Sequence, residues 1–596
     1  MGDIITQEYL RELREKVLKI NKPGEIEKVL EYKTMYQRFK EVALEKEDAP
    51  VLYYMGRVFT YRELLTLVDN TAKGFSEFGI KYNDPVAMSM LAEPNSIIAL
   101  YALDKIGVTL HMVNTLGSAD EIKRELNKFS SKYFVGNDIF CSDKMIDTLK
   151  KTGVEKLFVS SLTDCMPLGV INKDKIKYEL VEYLKGLKKS KYDDNNIVCF
   201  NKLLEIGRES NIDLKEATFV PNKLATIAYT SGSSGDAKAC MATWERIDSM
   251  IQVMGMTELG RFEPSDKMFT TFPLWIYYSL LNMIHEPICL GVALALDPIF
   301  NPKDIIRRNK QYQFNHWLTI PPYIATMVKM NKKTDCSKWK IVLTGGSELS
   351  NDIKLAADEY VKKNGGNIKI VQGYGASEML GSFAYCYKDE SSLGSLGVPC
   401  VGNMLKILDV DTHEEVKPGE MGVGYLYSPA RMTGYYGDEE ATNNNLIVDE
   451  DGVVWYNSED IIHQNEKGEI FLDDRIRRIA LTFDSAGNPT KIIPSRTRKC
   501  IEGMEGIIDC EVITVPDDKL ENVAIAFVVV NDKNNETNDF IKIIRKECLE
   551  SIPEYMVPKE IIFVSELPKL SNQKNDLKVL EKMYNDSLIS GKKLIK

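Results

Sequence analysis

The sequence predicts an α/β protein in which parallel sheets are covered by helices, with a separate small α/β domain at its C-terminal end. Three observations carry this. Strand-like and helix-like segments alternate from Val51 to Val113, a second alternating block runs from a glycine-rich turn at Thr230 to about residue 470, and the remaining segment has its own strand and helix pattern.

At 596 residues the chain exceeds what one core accommodates and divides into two or more domains. Its 44% hydrophobic and 27% charged residues are those of an ordinary globular protein, and a net charge of −11 argues against a general nucleic-acid or anionic-membrane surface. The 11 cysteines contain no CxxC pair, so neither a zinc site nor a disulfide framework is suggested. The first residues lack a basic segment followed by an apolar core, and the apolar stretch Leu280 to Phe300 is broken by His285, Glu286 and Pro287. No membrane span is expected, and the cytoplasm is the expected compartment.

Glu8 to Ile20 and Ile26 to Val42 have charged helical patterns and are expected to pack as a peripheral layer. Val51–Tyr54 and Val58–Tyr61 flank Gly56-Arg57 as a hairpin, and Thr60 caps a helix with Glu63 three residues on. Pro85–Met90, Ser96–Ile106 and Thr109–Val113 continue the alternation, whereas Asp164 to Asn211 is highly charged and reads as a solvated helix and surface loop.

Thr230-Ser-Gly-Ser-Ser-Gly-Asp-Ala-Lys238 follows the apolar run Leu224–Tyr229 and precedes the helical spacing of Ala242 to Met254, so it is expected to join a strand to a helix. Gly232 and Gly235 permit backbone N–H groups to converge on an anion, the hydroxyls add donors, and Lys238 adds a charge. A phosphate cradle and an ordinary flexible turn are both open on these residues alone. The P-loop of motor ATPases is excluded, because Ala237 and Ala239 flank the lysine.

Ile341–Thr344 ends in Gly345-Gly346-Ser347, Ser350 caps a helix that stops near Gly365, and Ile368–Gln372 leads into Gly373-Tyr-Gly-Ala-Ser-Glu378. Two successive strand ends thus carry glycine turns, and the carboxyl ends of parallel strands are where ligands collect. Tyr374 offers an aromatic face and Glu378 a carboxylate. Beyond residue 400 the chain is β-rich and turn-rich, with Trp455–Asp460 ahead of a hairpin ending in Asp474-Arg475. Strands Cys510–Val515, Val523–Val530 and Ile561–Val564 with a helix Asn538–Ser551 complete the C-terminal domain.

Thr230–Lys238, Gly373–Glu378, Asp460 after Trp455, Asp474-Arg475, and Leu567-Pro568 followed by Lys574 occur in the order found in the adenylate-forming superfamily of acyl-CoA synthetases, luciferases and peptide-synthetase adenylation domains. The chain resembles that superfamily over roughly residues 50 to 580. The resemblance implies a large N-terminal domain of several subdomains, with mixed sheets flanked by helices and a β-rich part (1–473), a hinge (474–478) with Arg477 at the pivot, and a small mobile α/β lid (479–596). It implies ATP, Mg²⁺ and CoA or a phosphopantetheine arm as cofactors, with a small carboxylic acid and either CoA or a carrier protein as partners. Oligomeric state is left open, and no nucleic-acid partner is implied.

By the same resemblance Thr230, Ser231, Gly232, Ser233, Ser234, Gly235 and Lys238 hold phosphates. Tyr374 and Gly375 meet the adenine beside Gly345, Gly346 and Ser347, Ser377 approaches the α-phosphate, and Glu378 holds the metal. Asp460 takes the ribose hydroxyls beside Arg475, and Lys574 bridges the substrate carboxylate and α-phosphate. Ala237, Ser458-Glu459 and Gln573 depart from the family pattern, and Leu481 to Lys491 looks longer than the family turn lining the thiol tunnel. The acid pocket is expected at Trp275, Ile276, Tyr277 and Ser279, within an apolar wall where Ile276 stands in place of the usual histidine or aromatic. With no aspartate there for a substrate ammonium, a fatty, aryl or other non-amino acid is expected. A carrier-protein-loading enzyme and a catalytically degenerate binding homologue remain the alternatives.

Overall fold

The protein is described from a computed structural model that covers residues 5–141, 143–167, 196–230, 237–387, 391–410, 412–475, 478–485, 487, 489–569 and 575–590. Contacts group it into two compact units, one of Met1–Met404 with Tyr427–Tyr456 and the other of Leu405–Leu426 with Asn457–Lys596.

The first unit holds two large, mainly parallel sheets. A nine-stranded sheet runs in the spatial order Val398–Pro399, Gly381–Tyr385, Val371–Ala376, Ile341–Thr344, His316–Thr319, Lys267–Thr270, Ala293–Leu296, Pro50–Tyr54 and Arg57–Thr60. Its six central strands are parallel, and antiparallel strands close both edges. Its buried cluster is aromatic, with Phe269 stacked on Phe314 at 4.9 Å and Trp317 and Trp339 fully enclosed beside them. An eight-stranded sheet has the order Gly434–Tyr435, Ala239–Thr243, Leu224–Tyr229, Thr109–Met112, Pro85–Ser89, Tyr133–Asn137, Lys156–Ser160 and Ile197–Cys199. Helix Pro94–Ile106 has no exposed face, as expected of a helix covered on all sides.

The helix expected over Glu8–Ile20 runs Gln7–Val17, the expected helix Asn538–Ser551 is present, and Thr60 caps helix Tyr61–Glu77 by accepting from the Glu63 N–H at 3.2 Å. The continuous helix expected over Ile26–Val42 is corrected: it begins only at Met35, where Thr34 and Gln37 form a reciprocal cap, and the residues before it make turns in which the Lys28 and Val29 N–H groups donate to the Glu25 and Ile26 carbonyls. Nor is this region a peripheral layer. Tyr36 and Phe39 are buried, and the Arg38 guanidinium grips Asp248 at 2.8 and 2.9 Å with both side chains enclosed. Residues 168–195 of the charged stretch lie outside the described residues, and its end forms helix Phe200–Glu209, whose Phe200 and Leu203 are core residues.

In the second unit, Ile507–Asp517, Glu521–Val530 and Glu560–Phe563 form a three-stranded sheet buried on both faces. Helix Asn538–Ser551 covers the side of Cys510, Val512 and Ala526, while Leu580 and Tyr584 of helix Leu577–Ser590 cover the side of Ile513, Ile525 and Phe527. Two-sided burial is why Val523–Val530 reads as an unbroken apolar run.

One buried acid gives the first unit a pH dependence. Glu93 Oε1 accepts from Asn137 Nδ2 at 2.7 Å and Ser160 Oγ at 2.6 Å, and Oε2 has no partner among the described residues. Burial pushes its carboxyl up to about 8 despite those donors. The folded state therefore holds a proton that the unfolded chain releases above about pH 4.5, so Glu93 withdraws stability as pH rises from about 5 to 8. Glu93→Gln is expected to flatten that decline, worth up to about 4 kcal/mol, in denaturant unfolding followed over this range.

Candidate active site

The neck of the glycine-rich turn is closed by the Thr230 N–H donating to the Lys238 carbonyl at 2.9 Å, and by the Lys238 N–H donating to Thr230 Oγ at 3.1 Å. Ser231, Gly232, Ser233, Ser234 and Gly235 lie outside the described residues. The turn does not join a strand directly to a helix, as expected. It joins Leu224–Tyr229 to an antiparallel strand, Ala239–Thr243, and the helix starts only at Trp244. Ala242 and Thr243, expected as the start of the helix, are buried at the end of that strand, so the sheet claims them. The strand end is fixed from behind, where Tyr229 Oη lies 2.8 Å from His111 Nε2 and burial drives that imidazole down to about 3, keeping it neutral.

Lys238 and Glu378 are linked by Tyr435, whose role the sequence left unassigned. Lys238 Nζ sits 5.0 Å from the Tyr435 ring centre, and the Tyr435 hydroxyl donates to Glu378 Oε1 at 2.7 Å. Strand Gly434–Tyr435 is carried there by pairing with Met241 and Cys240, and the Met432 N–H donates to the Glu378 carbonyl at 2.7 Å. The signal for it lay in Met432-Thr-Gly-Tyr-Tyr, a glycine-punctuated strand whose partner no local pattern reveals.

Gly373–Ala376, expected as a turn, belongs to the strand Val371–Ala376, and Ser377–Met379 follow as a 3₁₀ turn. Tyr374 packs edge-on against Phe383 with centroids 6.2 Å apart, half-buried. A Cβ on Gly375 would stand 1.9 Å from the Gly381 carbonyl oxygen, so only glycine lets the two strands close ahead of Glu378. Gly345 sits buried at the end of the neighbouring strand, with Gly346 and Ser347 exposed beyond it.

The four pocket candidates separate. Tyr277 is a core residue, its hydroxyl donating to the Cys240 carbonyl at 3.0 Å, and Ser279 is spent on the Phe272 carbonyl at 2.8 Å. Trp275 is buried against Phe140, and Ile276 is exposed. Tyr278, opening the π-helix Tyr278–His285, is the residue that approaches Gly345: a Cβ there would lie 3.8 Å from its hydroxyl.

In the second unit Asp460 is buried on strand Val454–Gln464 and lies opposite Arg475 in antiparallel register; its N–H donates to Ser458 Oγ at 3.2 Å. Glu459 has φ +56°, the left-handed backbone that a glycine would adopt without strain. Glu459→Gly is expected to stabilise the unit by about 0.5–1 kcal/mol, the strain relieved less the added chain flexibility, measurable by urea unfolding. Arg477, Gln573 and Lys574 lie outside the described residues.

Comparison with known proteins gives consistent matches. A family model described as AMP-binding enzyme matches residues 39–436, and one described as AMP-binding enzyme C-terminal domain matches 499–574. A long-chain-fatty-acid–CoA ligase of Haemophilus influenzae is 26% identical over 600 residues, covering 97% of this chain and 99% of that protein. A probable CoA ligase of Humulus lupulus, CCL5, is 25% identical over 558 residues, with 89% of each chain covered. Among solved structures, the anthranilate CoA ligase AuaEII with anthranoyl-AMP matches with a TM-score of 0.76 at 18% identity, covering 94% of this chain and 99% of that one. ATP-bound MatB from Rhodopseudomonas palustris gives 0.76 at 17% identity, with 93% and 99% covered.

Proposed function

Because the chain belongs to the AMP-binding enzyme family, we propose that it is an ATP-dependent carboxylic acid ligase, which makes an acyl-adenylate and then passes the acyl group to CoA. A carboxylate oxygen attacks the α-phosphorus of ATP and pyrophosphate leaves; the CoA sulfur then attacks the acyl carbon, AMP leaves, and the thiol proton goes to solvent. The joined arrangement of Lys238, Tyr435 and Glu378 is the observation that carries this reading, since it sets a cation and an oriented carboxylate beside the glycine-rich turn.

In this reading Thr230, Ser231, Ser233, Ser234 and Lys238 bind the phosphates, Tyr374 stacks on the adenine beside Gly345–Ser347, and Ser377 meets the α-phosphate. Asp460 accepts from the ribose hydroxyls with Arg475 beside it. Lys574, on the C-terminal lid beyond the hinge at 474–478, brings a positive charge to the carboxylate and α-phosphate, which otherwise repel. Mg²⁺ suits Glu378, because this ion takes one or two protein carboxylates and completes its shell with phosphates and water. Among the described residues Glu378 belongs to no larger acidic cluster, and Tyr435 fixes one of its oxygens. When bound, the ion neutralises charge on the phosphates.

The acid is of the fatty or aryl class, in keeping with Phe272 stacked on Tyr323 at 5.7 Å and with Tyr278 at Gly345. Exchange of labelled pyrophosphate into ATP, measured with octanoate, palmitate, benzoate and cinnamate, tests the first step. Product analysis with CoA and with a carrier protein offered separately tests the second. ATP binding without exchange on any acid would favour a degenerate homologue, and acyl transfer only to the carrier would replace CoA. No helix among the described residues is long and apolar enough to cross a membrane.

A further inference from the structure

The second unit brings two thiols into contact. Cys500 sits on helix Pro494–Glu502 and Cys548 on helix Asn538–Ser551, and the Cys500 thiol donates to Cys548 Sγ at 3.8 Å. Cys548 shares with Ile541 and Ile544 the buried helix face that covers the three-stranded sheet, and Cys500 packs at the edge of the same core. Of the 11 cysteines, only Cys199 and Cys500 are not buried. Cys500 also lines a cavity of about 730 Å³ with Met504, Asn531, Phe540 and Glu547. The exposed Ile543 belongs to the same wall, so the cavity opens to solvent, while Cys548 lies off it.

The two sulfurs differ in chemistry. Burial, and after it the neighbouring Cys500 sulfur, push the Cys548 thiol up to about 12. Cys548 therefore keeps its proton, and Cys500 is the sulfur that meets an oxidant first. Oxidising Cys500 removes its charge and its hydrogen bond from Cys548, which frees the second thiol to react. The two helices pack with Cα pairs within 8 Å, and the sulfurs need to close from 3.8 Å to the roughly 2 Å of a disulfide, which side-chain rotation supplies.

We propose that Cys500 and Cys548 form a peroxide-responsive dithiol, a modification site within the C-terminal unit. The Cys500 thiol releases its proton to solvent and its sulfur attacks a peroxide oxygen; the O–O bond breaks, and the hydroxide that leaves takes up a proton. Cys500 is then a sulfenic acid. The Cys548 sulfur attacks the Cys500 sulfur, the S–O bond breaks, and the departing hydroxide takes the Cys548 proton as water. Both thiols are oxidised to one disulfide while the peroxide is reduced to water. A thiol reductant reverses the link by exchange. The link ties helix Asn538–Ser551 to a helix that already holds strand Ile470–Arg475, through the Ser495 N–H on Asp474 Oδ2 at 2.7 Å and Lys499 Nζ on the Leu472 carbonyl at 2.7 Å.

Full-length protein, reduced and then freed of reductant, is treated with hydrogen peroxide near neutral pH, alkylated at its remaining thiols and digested with trypsin without reduction. A linked pair of peptides, Cys500–Lys519 and Glu547–Lys559, is expected, with fragment ions that place the bond on Cys500 rather than Cys510. Dithiothreitol should abolish it. Dimedone, which captures sulfenic acids, should label Cys500 in Cys548→Ala at least about 10-fold more than in wild type, where the contacting thiol intercepts the acid. Cys500→Ser should leave Cys548 unoxidised. The inference is overturned if wild-type protein carries no Cys500–Cys548 link, or if dimedone labels Cys500 equally in wild type and Cys548→Ala. A link through Cys510, or oxidation of Cys548 persisting in Cys500→Ser, would overturn it too.

Discussion

Lys574→Ala is expected to reduce acid-dependent exchange of pyrophosphate into ATP by about 10²–10³-fold, the loss typical when one preorganised electrostatic group is removed from a developing charge. The first step joins two anions, and the charge that builds around the α-phosphorus must be met inside a site from which water is excluded. A lysine is suited to this because its compact charge can approach two oxygens together. Since the second step breaks a mixed anhydride and needs no such bridge, thioester formation from a supplied acyl-adenylate should change by less than about 2-fold. That contrast separates loss of a catalytic charge from loss of fold. Exchange at near wild-type rates would remove Lys574 from the reaction.

Glu378→Gln is the second large effect, expected at about 10²-fold in kcat/KM for ATP at limiting Mg²⁺. The amide is nearly isosteric, and its oxygen can still accept from Tyr435, so the pairing of Gly434–Tyr435 with Met241 and Cys240 is preserved. What disappears is the negative charge that a hard dication prefers. Tyr435→Phe tests the same carboxylate from its other side, keeping the charge but releasing its orientation, and its loss should be smaller, about 10-fold. Initial rates across a Mg²⁺ titration distinguish the two variants. If Glu378→Gln retained the wild-type Mg²⁺ dependence, the carboxylate would not be the metal's protein ligand.

Much of the architecture was legible because it is written locally. Thr60 and Ser350 announce helix starts through side-chain acceptors for backbone N–H groups, and the apolar runs Leu224–Tyr229 and Ile341–Thr344 form strands with the predicted bounds. The errors fall where a distant partner decides. Ala242 and Thr243 read as the start of a helix but belong to strand Ala239–Thr243, because Leu224–Tyr229 offers it a hydrogen-bonding edge. Gly373–Ala376 reads as a turn from its glycines, yet Gly375 lets two strands approach more closely than any side chain there permits.

By itself the sequence determined the alternation of strands and helices, the glycine positions, and the identities of the charged residues available for phosphate and metal. Each depends on a residue and its near neighbours. Only the tertiary structure decided that Tyr435 joins Lys238 to Glu378, that Tyr278 reaches Gly345, and that Glu511 ties Asn575 to Arg478. These pairings span tens to hundreds of residues. They are fixed by sheet register and by the burial of polar groups that must find partners, and neither leaves a periodic mark along the chain.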